Sequence, residues 1–432
     1  MKKAQLLSVS ALLAVAVQSA PLQAAALADI YQQALANDPQ LKSAEATYLA
    51  GREAEPQARA GLLPNVNLQA NTTWTDTDSR DFNNHGYTVS LSQPLFNANA
   101  WFGFKRGQAQ SEQARLQFDL AQQTLILRVV ESYLNVLRAQ NALETTQAQE
   151  RAIKRRLEQV NAQFEVGLIA ITDVQEAQAS YDNARVARIE AEGSLENSYE
   201  ALERLTGNEV GKADLLKADY PVATPSPEAA QPWLDKAWRG NLNLRIADAG
   251  VETARRNAQA ARSGHLPTVS LNANYDSDSG TATSSDSTDS SSIGLTFSLP
   301  LYSGGATVSA SRQNEQQLIA SQQNREDTMR AVTQSTRSLL RDLRTDVLSV
   351  QARKQSIKSS ETALKATEEG FNVGTRNVVD VLNAEQQLYS AQRDYANARF
   401  DYVFNLFSFK QQVGSLSPDD LNSLDAWLQS PQ

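Results

Sequence analysis

Cysteine is absent from all 432 residues, so the chain can build neither a disulfide framework nor a thiolate metal site. Only two histidines are present. His85 falls in an Asn-Asn-His-Gly stretch that reads as a turn and His265 in the opening of a strand pattern, and neither has a partner motif beside it. Without a nucleophile, base or metal constellation, neither catalysis nor a cofactor is expected. The net charge of -9 is spread along the chain with no basic run, which argues against a nucleic-acid partner. Beyond the N-terminal region no stretch of about 18 apolar residues occurs, so no transmembrane helix is expected in the mature chain. Proline is missing from two stretches, about 99 to 165 and about 306 to 370, that are too long for ordinary helices of a compact domain.

What is present begins with Lys2-Lys3, an apolar stretch from Leu6 to Val17 and the small residues Ala24-Ala25-Ala26, the order of a secretory signal over residues 1–25. After it the chain repeats itself. GLLPNVNLQAN from Gly61 matches GHLPTVSLNAN from Gly264, with prolines 203 positions apart (267 − 64). LSQPLFNANA from Leu91 matches FSLPLYSGGA from Phe297, and FEVGLIAITDVQEAQ from Phe164 matches FNVGTRNVVDVLNAE from Phe371, with glycines 207 apart (374 − 167). Three matched blocks in one order at nearly constant offset define two halves, 26–220 and 232–413. A Pro-rich linker, 221–231, joins them, and a short C-terminal segment, 414–432, follows.

Each half reads as helix, two strands with a polar loop between them, a very long helix and a shorter returning helix. The first helical stretch spans Leu27 to about Arg59 in one half and Pro232 to about Arg262 in the other. The long stretches, at ~1.5 Å rise per residue, are rods of roughly 100 Å. Gly167 and Gly374 stand where each rod should end in a left-handed turn. The two shorter helices of a half together match its rod in length, so they are expected to stack end to end beside it.

The strands separate cleanly by alternate residues. Val66, Leu68, Ala70 and Trp74 oppose Asn65, Asn67, Gln69, Asn71 and Thr73; Tyr87, Val89 and Leu91 oppose Thr88, Ser90 and Ser92. Val269, Leu271, Ala273 and Tyr275, then Ile293, Leu295, Phe297 and Leu299, repeat the pattern in the second half. A soluble sheet with one face on a core gives the same alternation. A membrane barrel with a wet lumen is favoured by Trp74, Tyr87 and Tyr275, which fall beside the polar stretches Thr75 to Gly86 and Asp276 to Ser292, as interfacial aromatics do. Four strands cannot close a barrel, and lipid tolerates no open edge, so such a barrel has to be shared between chains. A soluble periplasmic coiled-coil adaptor or tether is the alternative, explaining the rods but not the strands. The Ser/Asp stretch from Asp276 to Asp289 lacks the spacing of a calcium loop and reads as a surface loop.

VGLIAITDVQ from Val166, VGTRNVVDVLNAEQQLYSAQ from Val373, the paired Leu-Pro strand openings and the duplicated layout together resemble the TolC family of outer-membrane channel-tunnels over essentially the whole mature chain. The resemblance implies a homotrimer with a shared twelve-stranded β-barrel in outer-membrane lipid and a long α-helical tunnel through the periplasm. It also implies a tapered end that meets a periplasmic adaptor and an inner-membrane efflux pump or secretion ABC transporter. Carried over by position, Thr172, Asp173, Phe371 and Arg376 correspond to a gate network and Asp380 and Asn383 to a constriction. Phe371 stands where the family carries a tyrosine and Asn383 where it carries a second aspartate. Read as residues alone, Asp380 and Asn383 share a helix face that a symmetric oligomer would repeat around its axis. Asp173 and Asp380 are equally suited to stabilising helix starts.

Overall fold

A computed structural model describes residues 26–78, 80–280 and 287–429. The signal segment and its cleavage region up to Ala25, and part of the Ser/Asp stretch, lie outside the described residues. The elements run α1 (Leu27–Asn37), α2 (Pro39–Arg52), α3 (Ala54–Ala60), β1 (Asn65–Thr77), β2 (Arg80–Asn97), α4 (Ala98–Glu165), α5 (Ile171–Thr206), β3 (Leu215–Leu216), α6 (Ala230–Gly240), α7 (Leu242–Arg262), β4 (Thr268–Ser279), β5 (Thr288–Ser298), α8 (Ala306–Asn372), α9 (Val378–Gln412), α10 (Pro418–Asp425) and β6 (Leu428–Gln429).

The rods are continuous. α4 has 68 residues and α8 has 67, each about 100 Å long. Gly167 and Gly374 terminate them at φ 78°, the left-handed turn their positions required. The first helical stretch is not one helix, because Asp38 and Glu53 break it into three. Asp38, followed by Pro39, caps α2 by accepting from the amides of Gln40 and Leu41.

α2 and α3 lie along the strand-proximal part of α4, where Tyr48 stacks on Phe118 at 5.5 Å, and α5 covers the remainder. In each half an asparagine side chain ties the joint between stacked helices to the end of the returning helix. Asn37, between α1 and α2, donates its side-chain amide to the Thr206 carbonyl at the end of α5, 2.7 Å away. Asn241, the cap of α7, donates to the Gln412 carbonyl at the end of α9, 2.9 Å away, and also accepts from the Leu244 amide. In the second half Gly240 and Gly414 touch through their backbones, an approach no side chain would permit.

The four long strands form one antiparallel sheet, ordered β1-β2-β4-β5. Near its middle the rungs are uniform across the strands. Val66, Leu91, Ala273 and Ile293 make one apolar rung; Asn67, Ser90, Asn274 and Ser292 make the neighbouring polar one. Pro94, in the central β2, is accommodated beside an irregularity between Pro94 and Phe96 where the ladder skips Leu95.

The polar stretches between strands correct the sequence expectation. Most of Thr75 to Gly86 and Asp276 to Ser292 is strand: β1 runs to Thr77, β2 starts at Arg80, β4 runs to Ser279 and β5 starts at Thr288. His85 is therefore a ladder residue opposite Thr72 and Ser279, not a turn residue. Poor strand formers hold the pairing through side-chain bonds: Thr88 to Asp276 at 2.7 Å, Ser277 to Asp289 at 2.7 Å and Thr72 to Asn83 at 2.9 Å.

A collar surrounds the middle of the rods. β3 pairs with β6, and α1, α6 and α10 pack over α4, α8 and α9 around Tyr133, Leu137, Leu343, Val403 and Phe409. The buried Tyr133 hydroxyl donates to the Asp214 carbonyl and Tyr402 to that of Ala223. The segment joining the halves is thereby pinned to the rods, although it forms no helix before Ala230. The amide of Leu27 donates to Asp425 at 2.8 Å, so both ends of the described chain meet in this collar.

Candidate functional site: the hairpin tips

At the end remote from the sheet, the α4–α5 and α8–α9 hairpins close on a small apolar core. Ile153, Leu157 and Val160 of α4, Ala177 and Ala184 of α5, and Val378 and Leu382 of α9 are buried together. The alanines on α5 let α9 come close, and the β-branched residues fill the space between rods.

One cation ties the two hairpins together. Arg156 of α4 pairs with Glu368 of α8 at 2.6 Å and with Glu385 of α9 at 3.3 Å, and its guanidinium lies 5.9 Å from the centre of the Phe371 ring. Glu385 is 5% exposed, and one of its carboxylate oxygens has no protein partner. Burial pushes the Glu385 carboxyl above the usual carboxylate range, and Arg156 opposes this without cancelling it. Desolvation outweighs the ion pair because the second carboxylate oxygen loses water and gains nothing. The sequence reading missed Arg156, Glu368 and Glu385. Nothing local marks an arginine in a helix rich in charges; only the packing of α4 against α8 and α9 selects it.

The residues singled out from sequence are distributed around this node. Phe371 is half-buried against the tip core, its ring under Arg156. Asn377 and Asp380 form a capping box at the start of α9: Asn377 accepts from the Asp380 amide at 2.9 Å, and Asp380 accepts from the Asn377 amide at 3.4 Å. Arg376, in the turn just before α9, reaches Asp380 at 3.8 Å, the arginine largely in solvent and the aspartate half-buried. Asn383 is exposed one turn further on, beside the groove that Ser180, Asn183 and Gln386 border. Thr172 and Asp173 sit in the first turn of α5, and among the described residues neither bonds to Arg376 or Phe371 within one chain.

At the sheet, Tyr87 and Tyr275 lie 6.1 Å apart at the boundary between the apolar rungs and the polar extension, and Trp74 is 70% exposed beyond them. A second group of exposed aromatics, Phe96, Trp101 and Tyr302, marks the opposite limit where strands pass into helices. Sequence reading overlooked these, although they follow the two Pro-Leu motifs directly. Among the described residues no group of His, Asp or Glu side chains is placed to hold a metal ion, and no helix is long and apolar enough to cross a membrane.

A sheet with an apolar face and two open edges, set on helical rods whose far ends close on a charged node, defines an outer-membrane exit duct with a periplasmic helical extension. The comparisons agree. The model of the outer membrane efflux protein family matches residues 30–208 and again 233–414. The chain is similar to outer membrane protein TolC of Vibrio cholerae, 38% identical over 99% of both chains, and to alkaline protease secretion protein AprF of Pseudomonas aeruginosa, 32% identical over 93% of this chain and 86% of that one. Among solved structures, CusC superposes with a TM-score of 0.81 at 17% identity, covering 90% of this chain and 92% of that one. The chain belongs to the outer membrane efflux protein family. These relatives are channels and secretion proteins rather than enzymes.

Proposed function

We propose that three copies close the wall, giving a twelve-stranded barrel above a helical tunnel, and that the duct passes drugs or secreted proteins delivered by an adaptor and an inner-membrane efflux pump or secretion ABC transporter. The observation that carries this reading is the open sheet: β1 and β5 both present unpaired edges and exposed apolar residues, Leu68 at 72% and Leu295 at 70%. Lipid suits the apolar face but accepts no open edge until the sheet closes. In that barrel Trp74, Tyr87 and Tyr275 take the outer interface, with Phe96, Trp101 and Tyr302 at the inner one. The relatives' names cover both efflux and protease secretion, which fits a passive duct whose cargo is chosen by the pump behind it. Extraction from outer membranes should require detergent and give a heat-sensitive assembly of three times the chain mass. A monomer recovered from the soluble periplasm would overturn the proposal.

The tips form the gate in this reading. Thr172, Asp173 and Arg376, which do not meet within a chain, are the groups available to link neighbouring copies, while Phe371 holds to Arg156 inside one. Asp380 and Asn383 repeat around the axis as a constriction carrying one carboxylate per chain, which attracts cations and repels anions where water is confined. Asp380→Asn removes the charge and keeps an acceptor for the capping box. Reversal potentials in planar bilayers under a salt gradient should then move toward zero; an unchanged value would remove Asp380 from the selectivity role.

A further inference from the structure

Within one chain α5 pairs with α4 and α8 with α9, and the pairs join mainly through α4 and α9, with the alanine face of α5 also touching α9 at the tip. α5 and α8 are therefore the two lateral edges, and they carry opposite charge. Over α5, acids outnumber bases eight to three; over residues 330–365 of α8, bases outnumber acids eight to three. The α8 charges are also patterned. Arg330, Arg337, Arg344, Lys358 and Lys365 fall on one heptad position, interrupted only by Gln351, so they form a single line along a supercoiled helix. On α5, Asp182, Glu196, Glu200 and Glu203 fall on the side away from the buried Ala177, Ala184 and Ala191, and Glu176 flanks it.

We infer that the acidic edge of α5 and the basic edge of α8 from the neighbouring copy form a charged seam that fixes the register between copies. The inference rests on the three-copy closure above. Its basis is a match of heights. Counted from the hairpin glycines, Glu176 lies nine residues past Gly167 and Lys365 nine before Gly374; Asp182 and Lys358 lie 15 and 16 away. Glu200 and Arg341 each lie 33 away, and Glu203 and Arg337 lie 36 and 37 away. Counted instead from the helix ends at Ile171 and Asn372, each pair stands within about 5 Å of the same level at ~1.5 Å per residue, within the reach of long charged side chains. Among the described residues no ion pair engages any of these eight side chains, and all but Glu203 are exposed.

A ring of copies requires a heterologous interface, one surface meeting a different one. The seam provides that chemically. α5 against α5, or α8 against α8, sets like charges along tens of ångströms, whereas α5 against α8 sets opposite charges at the four levels named, above and below a middle level where Arg185 and Arg188 stand near Lys354 and Arg353. Each exposed pair is weak on its own, and the repeated series selects partner and level.

The cysteine-free chain permits a clean test. Full-length protein carrying Glu176→Cys with Lys365→Cys is treated in outer membranes with a short thiol-to-thiol crosslinker, since a direct disulfide needs Cα atoms within about 7 Å. A covalent trimer is expected on denaturing gels. Glu176→Cys with Arg341→Cys, about 36 Å out of step, should stay monomeric. Lys358→Glu with Lys365→Glu should lower the heat resistance of the trimer, and adding Glu176→Lys with Asp182→Lys should restore it. A native trimer whose matched cysteines fail to link, whose mismatched cysteines link equally, or whose matched cysteines capture an adaptor overturns the seam alone. Native mass measurement showing no trimer overturns the three-copy reading as well.

Discussion

In the tip gate proposed above, Arg156→Leu is expected to raise the conductance of the duct. Arg156 is 10% exposed, and it is the group that binds the α4–α5 hairpin to both helices of the other. Removing it leaves Glu385 buried and unpaired, which costs about 3–5 kcal/mol where a buried pair is broken. The tip can shed that cost by letting water reach Glu385, which means separating α9 from α4. Conductance in planar bilayers should rise several-fold, and protease should cut near the hairpins. A second substitution distinguishes release of the node from general damage. Arg156→Leu with Glu385→Leu removes both charges and fills the site with apolar groups, an exchange that is often neutral or stabilising, so the closed state should return. If the single variant stays closed, the hairpins are held by contacts between copies instead.

Acid should act on the same node with a definite sign. Because the folded-state affinity of Glu385 for a proton is raised, its contribution to tip stability grows as pH falls toward the ordinary carboxylate value and is lost as pH rises through the raised one. Mild acidification should therefore not loosen the tip through this residue, and Glu385→Gln should remove the dependence.

Gly414→Ala is expected to abolish assembly, while Gly167→Ala is tolerated. The two glycines have nearly the same backbone conformation, φ 72° and 78°. An alanine forced into that conformation costs about 1–2 kcal/mol at either place. Their surroundings differ. A methyl on Gly167 meets nothing within 4 Å, whereas one on Gly414 falls 2.2 Å from the Gly240 backbone. Neither backbone can withdraw, because Asn241 is bonded to Gln412 beside the contact. Heat-resistant trimer in outer membranes should be near wild-type level for Gly167→Ala and absent for Gly414→Ala; similar yields would show that the stacked joint of α7 and α9 has slack.

The duplication, the rods and the strand faces were legible because each rests on a long-range regularity: a constant offset, an absence of proline, a period of two. The strand ends were not. Asp76, Asp81, Asp276 and Asp278 are poor strand formers, and their pairing depends on partners across the sheet that no local window contains. The collar was hidden for a similar reason, since β3 and β6 are two residues each and lie at distant points of the chain. At the tips, Gly167, Gly374 and the acid at the start of α9 could be read from position, but the Arg156 node could not. It exists only because α4, α8 and α9 meet there.

The collar also imposes an order of events on biogenesis. Leu27 is bonded to Asp425, 398 residues away, and Leu215–Leu216 wait for Leu428–Gln429. A chain emerging N-terminus first can form its early hairpin and rods, but the girdle at mid-height closes only when Asp425 and Leu428–Gln429 have been delivered. A chain that stops before Asp425 thus remains unclasped at its waist, its rods formed but not tied together at mid-height.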